Sequence, residues 1–132
     1  MRPLYYILDR AGQPVACRSV RLWARWMECV ENAKVRQDHV CLPRFGKVLV
    51  STIFMGLDHN TSGKGPALLW ETTVVGGPSD LTHQFETREQ ALDYHRTLLR
   101  ALPVVEVVEV VPASRYAAES PEHGTQANTY LN

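Results

Sequence analysis

The stretch KVLVSTIFMGL, at residues 47–57, is the strongest β-strand signal in this chain of 132 residues. It is long, rich in β-branched side chains and free of proline, and these properties favour a strand. The segment Gly56–Pro66 that follows contains three glycines and one proline, which predicts a long loop. Ala67–Val75 (ALLWETTVV) predicts the next strand. The loop therefore connects two neighbouring strands.

Two more strands and a helix are predicted on the N-terminal side. Val35–Leu42 alternates loosely between apolar and polar residues and ends at the turn Pro43–Gly46, so it predicts one arm of a hairpin. Pro3–Asp9 is a short aromatic and β-branched run that predicts the first strand. Between these strands, Ser19 is a suitable N-cap for a helix from Val20 to about Ala33.

On the C-terminal side, Thr87 and Gln90 have the spacing of a capping box, which predicts the start of a second helix. Apolar residues then recur at helical spacing until Pro103 ends the helix. Val104–Val111 (VVEVVEVV) is too short and too β-branched for a helix, and it predicts a last strand. Its two glutamates would point to opposite faces of a sheet, which favours an edge position.

The resulting order, β-α-β-β-β-α-β, predicts the fold class. Strands that cluster in the middle of a chain favour antiparallel pairing, so we expect an α+β fold: a mostly antiparallel sheet of about five strands with two helices packed on one face. Residues 1–112 form a single domain in this interpretation. Residues 113–132 have too few apolar positions for a core, and we expect a disordered tail there.

The charge balance excludes a general polyanion binder. Fourteen basic residues match fourteen acidic ones, and the isoelectric point is near 7.0. The two halves differ, however: residues 1–50 have a net charge of +5 and residues 51–132 a net charge of −5. Three explanations are open: a basic face for an anionic ligand or partner, self-association through complementary halves, or charges that only cover solvated faces.

The three cysteines, Cys17, Cys29 and Cys41, match neither a zinc motif nor a CxxC redox pair. The N-terminus lacks the apolar region of a signal peptide, and no apolar run has the length of a membrane span. We therefore expect free thiols in a reducing cytoplasm, no contact with membranes, and no metal or cofactor.

The loop Gly56–Pro66 contains several reactive side chains, Asp58, His59 and Lys64 among them. A glycine-rich loop with a lysine can approach and neutralise an anion. The glycine spacing is not that of a P-loop, and a glycine rather than serine or threonine follows Lys64. A hairpin loop without a ligand is the alternative.

Glu71 and His95 are the other candidates for chemistry. His95 lies in the apolar stripe of the second helix and Glu71 in the middle of a strand, so together they predict a buried Glu–His pair. Such a pair is either structural or a general acid/base pair beside a substrate cleft next to Trp70. With Asp58 and His59, the two residues also form a set that suits a divalent metal, although no spacing requires one.

The predicted first helix has a wide apolar arc that includes Trp23, Trp26 and Met27. Core packing is one explanation for this arc. The other is a contact between copies of the chain, because so wide an arc is hard to cover within a small domain. We therefore expect a homodimer or a higher homo-oligomer with these three residues at its interface.

Five sequence blocks occur in a fixed order: YYILDRAGQPV at 5–15, LWARWME at 22–28, VSTIFMGLDHN at 50–60, LLWETTVVGG at 68–77 and FETREQALDYH at 85–95. They resemble a family of small proteins from tailed bacteriophages and prophages, in which we expect phenylalanine at the position of Trp70 and glycine at that of Tyr94. The resemblance covers about residues 4–95. It implies an accessory protein that works in the bacterial cytoplasm, and it marks Asp58, His59, Glu71 and His95 as a group.

Two functional hypotheses follow. The first is a binding protein without catalytic activity, such as a counter-defence factor that captures a host protein or a small nucleotide signal. Its expected ligand-binding residues are Asp58, His59, Lys64, Trp70, Glu71 and His95. The alternative is a small metal-dependent hydrolase that uses Asp58, His59, Glu71 and His95.

Overall fold

A computed structural model describes residues 2–77 and 81–103 and the backbone of residues 106–111. The predicted α+β class is confirmed. In chain order, the elements are β1 (Tyr6–Leu8), β2 (Pro14–Ala16), α1 (Val20–Glu28), α2 (Val30–Ala33), β3 (Lys34–Leu42), β4 (Gly46–Phe54), β5 (Trp70–Val75), β6 (Leu81–Phe85), α3 (Arg88–Ala101) and β7 (Glu106–Val111). The division into a domain of residues 1–112 and a tail of residues 113–132 lies outside the described residues.

Two antiparallel sheets form the framework. β1 and β2 are a hairpin, and the other five strands form one sheet in the order β6-β5-β4-β3-β7. β4, the strongest strand signal in the sequence, is the central strand. β7 lies at one edge, as its two glutamates predicted.

The large sheet buries one of its faces. Along β4, Val48, Val50, Thr52 and Phe54 are fully covered, whereas the residues between them are half-exposed. This alternation is the period of two that a strand with one covered face requires. Both long helices lie on the covered side: α3 packs across β4, β5 and β6, and Trp26 of α1 packs edge-on against Phe54 with ring centroids 5.8 Å apart.

The core under α3 consists of two apolar clusters. One surrounds Phe54 and Trp70, and the other surrounds Val50 and Leu98. Between them, the covered face carries polar residues in place of apolar ones, and we call these the polar layer: Arg36, Asp38, Thr52, Thr72 and His95. Arg36, Thr52 and Thr72 are direct neighbours on adjacent strands, so the layer crosses the sheet.

The helix starts were predicted well, and one helix length was not. Ser19 caps α1 by accepting the N–H of Leu22, and Thr87 caps α3 by accepting the N–H of Gln90. The prediction of one helix from Val20 to Ala33 was wrong, because the backbone at Cys29 is extended and separates α1 from α2. The Asn32 side chain donates to the Trp26 carbonyl at 2.8 Å, which satisfies an end group of the shortened helix.

Three strand assignments also needed correction. The strand predicted over Ala67–Val75 begins at Trp70, because Leu68 and Leu69 instead bond irregularly to His59 and Met55. β2 and β6 were not predicted at all. β2 is three residues long and follows a turn held by Asp9, and β6 has mostly polar, exposed side chains, so neither shows a clear apolar pattern.

Within the described residues, no helix is long and apolar enough to cross a membrane.

Candidate functional site

Asp58 anchors the loop that follows β4. Its carboxylate accepts the N–H groups of Asn60 at 2.8 Å and Leu68 at 3.1 Å, and the Nε–H of Arg2 at 2.7 Å. Burial alone would raise the pKa of Asp58, but these hydrogen bonds and the Arg2 charge outweigh burial and hold the pKa below its usual value. With three donors bound, the carboxylate fixes the loop and the N-terminal segment to each other.

His59 and Glu71 lie near each other on the face of the sheet opposite α3. Gln84 of β6 connects them: its Nε2 is 3.2 Å from His59 Nδ1 and 3.4 Å from Glu71 Oε2. Thr73 also donates to Glu71, at 3.2 Å. Lys64 lies on the exposed part of the loop, where its carbonyl accepts the Asn60 side chain. These hydrogen bonds are exposed or half-exposed, and the bond at Lys64 uses its backbone carbonyl.

His95 lies on the opposite face from Glu71, so the predicted Glu71–His95 pair was wrong. Adjacent strand residues point to opposite faces, and Thr72 rather than Glu71 faces α3. Asp58, His59, Glu71 and His95 therefore do not form one site. In the part of the chain that the structure describes, no three His, Cys, Asp or Glu residues are close enough to hold a metal.

The actual partners of His95 form the polar layer. His95 Nε2 contacts Asp38 Oδ2, and its Nδ1 is 2.8 Å from Thr52 Oγ1. The hydroxyl oxygens of Thr52 and Thr72 are 2.7 Å apart. The Thr72 hydroxyl is also 3.2 Å from the Ala91 carbonyl of α3. At the other end, Arg36 donates to Asp38 from Nε at 2.8 Å and from Nη2 at 3.4 Å.

Burial and hydrogen bonding together set the charges of these groups. Burial lowers the pKa of His95, and the attraction of Asp38 only partly opposes this. Burial would raise the pKa of Asp38, but hydrogen bonds from His95 and Arg36, with the Arg36 charge, hold it below its usual value. His95 is therefore neutral at pH 7, donates from Nε2 to the Asp38 carboxylate, and accepts the Thr52 hydroxyl at Nδ1. The layer contains one ion pair, Arg36⁺–Asp38⁻.

Thr52, His95 and Asp38 form a hydroxyl–imidazole–carboxylate chain, the kind of arrangement that activates a nucleophile in hydrolases. A nucleophile needs access to substrate, and here Thr52 and His95 are each 0% exposed beneath α3. The polar layer therefore has a structural role: it satisfies buried polar groups and links α3 to β3, β4 and β5. Sequence reasoning missed this layer. The available signal was that Arg36 and Asp38 share the strand face of Val40 and Leu42.

Trp23, Trp26 and Met27, predicted at an oligomer interface, make contacts within the chain. Trp23 donates from Nε1 to the Gly56 carbonyl at 2.9 Å and packs against Tyr5, and Met27 contacts Gly56. These contacts account for the packed side of α1. The large apolar side chains of α1 that stay exposed are Val20 and Leu22, at 52% and 59%.

A groove of about 450 Å³ lies beside Val20, and we call it the N-terminal groove. The chain start, the end of β2 and the start of α1 form its walls. Its lining combines apolar side chains with two arginines: Arg2, Pro3, Leu4, Tyr5, Ala16, Cys17, Arg18 and Val20. Leu4 is 49% exposed, and Val15 on the neighbouring hairpin is 45% exposed. The groove and its surroundings therefore present an accessible apolar surface with basic groups.

Comparisons of the chain with protein-family models, with curated proteins and with solved structures found no match.

Proposed function

We propose that this chain is an accessory binding protein without catalytic activity that captures a host protein through the N-terminal groove. Origin from a tailed phage or prophage, action in the bacterial cytoplasm and a counter-defence role belong to this proposal, and the five sequence blocks support them. The single observation that carries the proposal is the contrast between the polar layer and the N-terminal groove. The side chains arranged for proton transfer are sealed in the polar layer, whereas the accessible groove has the composition of a binding surface.

The lining of the groove favours a particular partner. Large exposed apolar side chains that are contiguous, with a polar rim, are typical of protein interaction sites. Arg18 is exposed, and Arg2 is 31% exposed while bound to Asp58. Arginine is enriched at protein interfaces because its guanidinium combines charge with a flat, weakly hydrated surface. The fitting partner is therefore a protein segment with an apolar side chain flanked by acidic residues.

The exposed apolar side chains of the groove favour a protein over a small nucleotide. Leu4 and Val20 both line the groove and are 49% and 52% exposed. An apolar side chain of a protein segment would cover them, whereas the phosphates of a nucleotide would contact only the arginines. Self-association through the +5 and −5 halves stays a prediction, and size-exclusion chromatography with light scattering measures it.

The test uses purified chain and three single variants. Partners are first captured from bacterial lysate and identified, and the purified partner is then titrated by calorimetry against each variant. Val20→Asp and Arg18→Glu should weaken binding at least tenfold. Both side chains are exposed, so the fold should be retained, and Lys64→Glu on the exposed loop is the matched control.

Equal affinity of all three variants for the partner would contradict the proposal. A thermal shift of the chain with cyclic nucleotides or ADP-ribose derivatives that is lost in Arg18→Glu would identify a nucleotide signal, instead of a host protein, as the ligand of the groove. Turnover of a cyclic nucleotide or an ADP-ribose derivative by the purified chain would contradict the proposed absence of catalytic activity.

A further inference from the structure

The edge strand β6 has one side on which no neighbouring strand is described. It pairs with β5, and in the part of the chain that the structure describes no strand lies beyond it. Edge strands usually carry charged residues, a proline or a bulge, which discourage pairing with another chain. β7, at the other edge, has Glu106 and Glu109. β6 (LTHQF) contains no Asp, Glu, Lys, Arg or Pro, and its register with β5 is unbroken, so it lacks these protections.

The pattern of backbone hydrogen bonds determines which groups of β6 point away from the sheet. The N–H of Met55 donates to the Leu69 carbonyl at 2.7 Å. With the register of β4 and β5, this bond directs the N–H and C=O groups of Trp70 away from β4 and towards β6. Because these groups alternate in direction along a strand, every second residue of β6 bonds to β5, beginning at Leu81. The residues whose N–H and C=O groups point outward are Thr82 and Gln84.

The outward groups of β6 match those of a second copy that runs antiparallel to it. Thr82 and Gln84 are two residues apart, so a two-fold axis beside His83 places each of them opposite the other. This register forms four main-chain hydrogen bonds and uses every outward N–H and C=O group of the strand. It also places Leu81 of each copy opposite Phe85 of the other.

The side chains of β6 suit the same register. Leu81 is 37% exposed and Phe85 is half-buried. Both project to the side of α3, where Phe85 packs against Tyr94 with ring centroids 5.4 Å apart. Opposite each other, they cover apolar surface that a single copy leaves in contact with water. At the axis, His83 lies opposite its own copy, a position at which a lysine or glutamate would repel itself.

These observations favour a second copy of this chain over an unrelated strand. Outward main-chain groups accept any extended segment. The match of Leu81 with Phe85, and of Thr82 with Gln84, is a property of β6 paired with itself.

We propose that two copies of this chain pair antiparallel through β6, about a two-fold axis beside His83, and join their five-stranded sheets into one. The contact is confined to one short strand of each copy, so the dimer is weak and dissociates on dilution. β6 shares no residue with the N-terminal groove. The dimer therefore stands or fails independently of the proposed capture of a host protein.

Light scattering of the purified full-length chain at increasing concentration tests the proposal. We expect a molar mass of 14.9 kDa in dilute solution that approaches twice this value as concentration rises. His83→Glu and His83→Lys each place two like charges at the axis and should each weaken the dimer roughly tenfold or more. An equimolar mixture of these two variants places opposite charges there and should restore the dimer. Thr61→Glu adds a charge on the exposed loop, away from β6, and is the matched control.

Amide hydrogen exchange measured by nuclear magnetic resonance locates the contact. With rising concentration, exchange should slow most at the N–H groups of Thr82 and Gln84, and less at His83, whose N–H already bonds to β5. Thr82→Pro removes an outward donor and none that bonds to β5, so it should also weaken the dimer. A far-UV circular dichroism spectrum like that of the unchanged chain shows that each variant keeps its fold.

Three results would overturn the proposal. One is a molar mass that stays at 14.9 kDa up to about 1 mM. Another is a mixture of the two His83 variants that forms no more dimer than either variant alone. The third is a dimer that persists in both His83 variants and dissociates in salt, which would place the contact at the oppositely charged halves of the chain. Val20→Asp, which tests the N-terminal groove, should leave the dimer unchanged.

Discussion

Replacement of Asp38 by asparagine should destabilise this fold strongly, since Asp38 is the anion of the polar layer. Asp38 is 1% exposed and Arg36 is 3% exposed, and Arg36 donates two hydrogen bonds to Asp38. Among the residues that the structure describes, the Nη1 of Arg36 has no hydrogen-bond partner. Asp38→Asn would therefore leave a buried guanidinium without a counter-charge, and breaking such a pair costs about 3–5 kcal/mol. This is a large part of the total stability of about 5–15 kcal/mol expected for a small domain.

Equilibrium urea denaturation measures this loss, with the slope of the transition checked for two-state behaviour. The double variant Arg36→Met/Asp38→Asn removes the unpaired charge and keeps an acceptor for His95, so it should recover more than half of the loss. Glu31→Gln is the control: it breaks the exposed Glu31–Lys34 pair and should cost at most about 0.5 kcal/mol. A loss of under about 1 kcal/mol for Asp38→Asn, or no recovery in the double variant, would refute the account of the polar layer.

The remaining predictions concern His95 and Gly56. Because burial holds the folded pKa of His95 below the unfolded value of 6.5, the unfolded chain binds the extra proton below pH 6.5. The free energy of unfolding should therefore fall as pH falls from 6.5 towards the folded pKa of His95, by at most about 1.4 kcal/mol per pH unit. In thermal denaturation between pH 8 and 5, His95→Gln should remove this contribution to the pH dependence of stability. Gly56→Ala should destabilise the fold more than Gly46→Ala, by about 1–3 kcal/mol. Both glycines have φ of +71°, but an added Cβ at Gly56 would lie 2.8 Å from Met27 Sδ, whereas Gly46 has open space; equal losses in urea denaturation would contradict this packing.

Local signals in the sequence were sufficient for most of the framework. The β-branched run at 47–57 predicted the central strand, and Thr87 and Gln90 predicted the start of α3, because period and capping depend on residues close together in the chain. The capping box was only half formed, since the Gln90 side chain donates to Glu86 instead of reaching back to Thr87. The break at Cys29 accompanies a side-chain hydrogen bond from Asn32 to the Trp26 carbonyl. Helix propensity does not encode such a bond.

The candidate sites depended on contacts between distant segments, and sequence reasoning placed them less well. His95 and Asp38 are 57 residues apart, and only the packing of α3 on the sheet brings them together. Trp70 and Glu71 were both expected beside one cleft, but neighbours on a strand point to opposite faces. The alternation in WETTVV already put Trp70, Thr72 and Val74 together, and this was the signal that could have excluded the Glu71–His95 pair.

Hydrogen exchange measured by mass spectrometry, on the purified chain alone and with the identified partner, tests the proposed function most directly. The account predicts that protection on binding is concentrated in residues 2–5 and 16–22, which form the N-terminal groove and the exposed start of α1. Protection centred on Glu71 and Gln84 instead, with residues 2–22 unchanged, would contradict it.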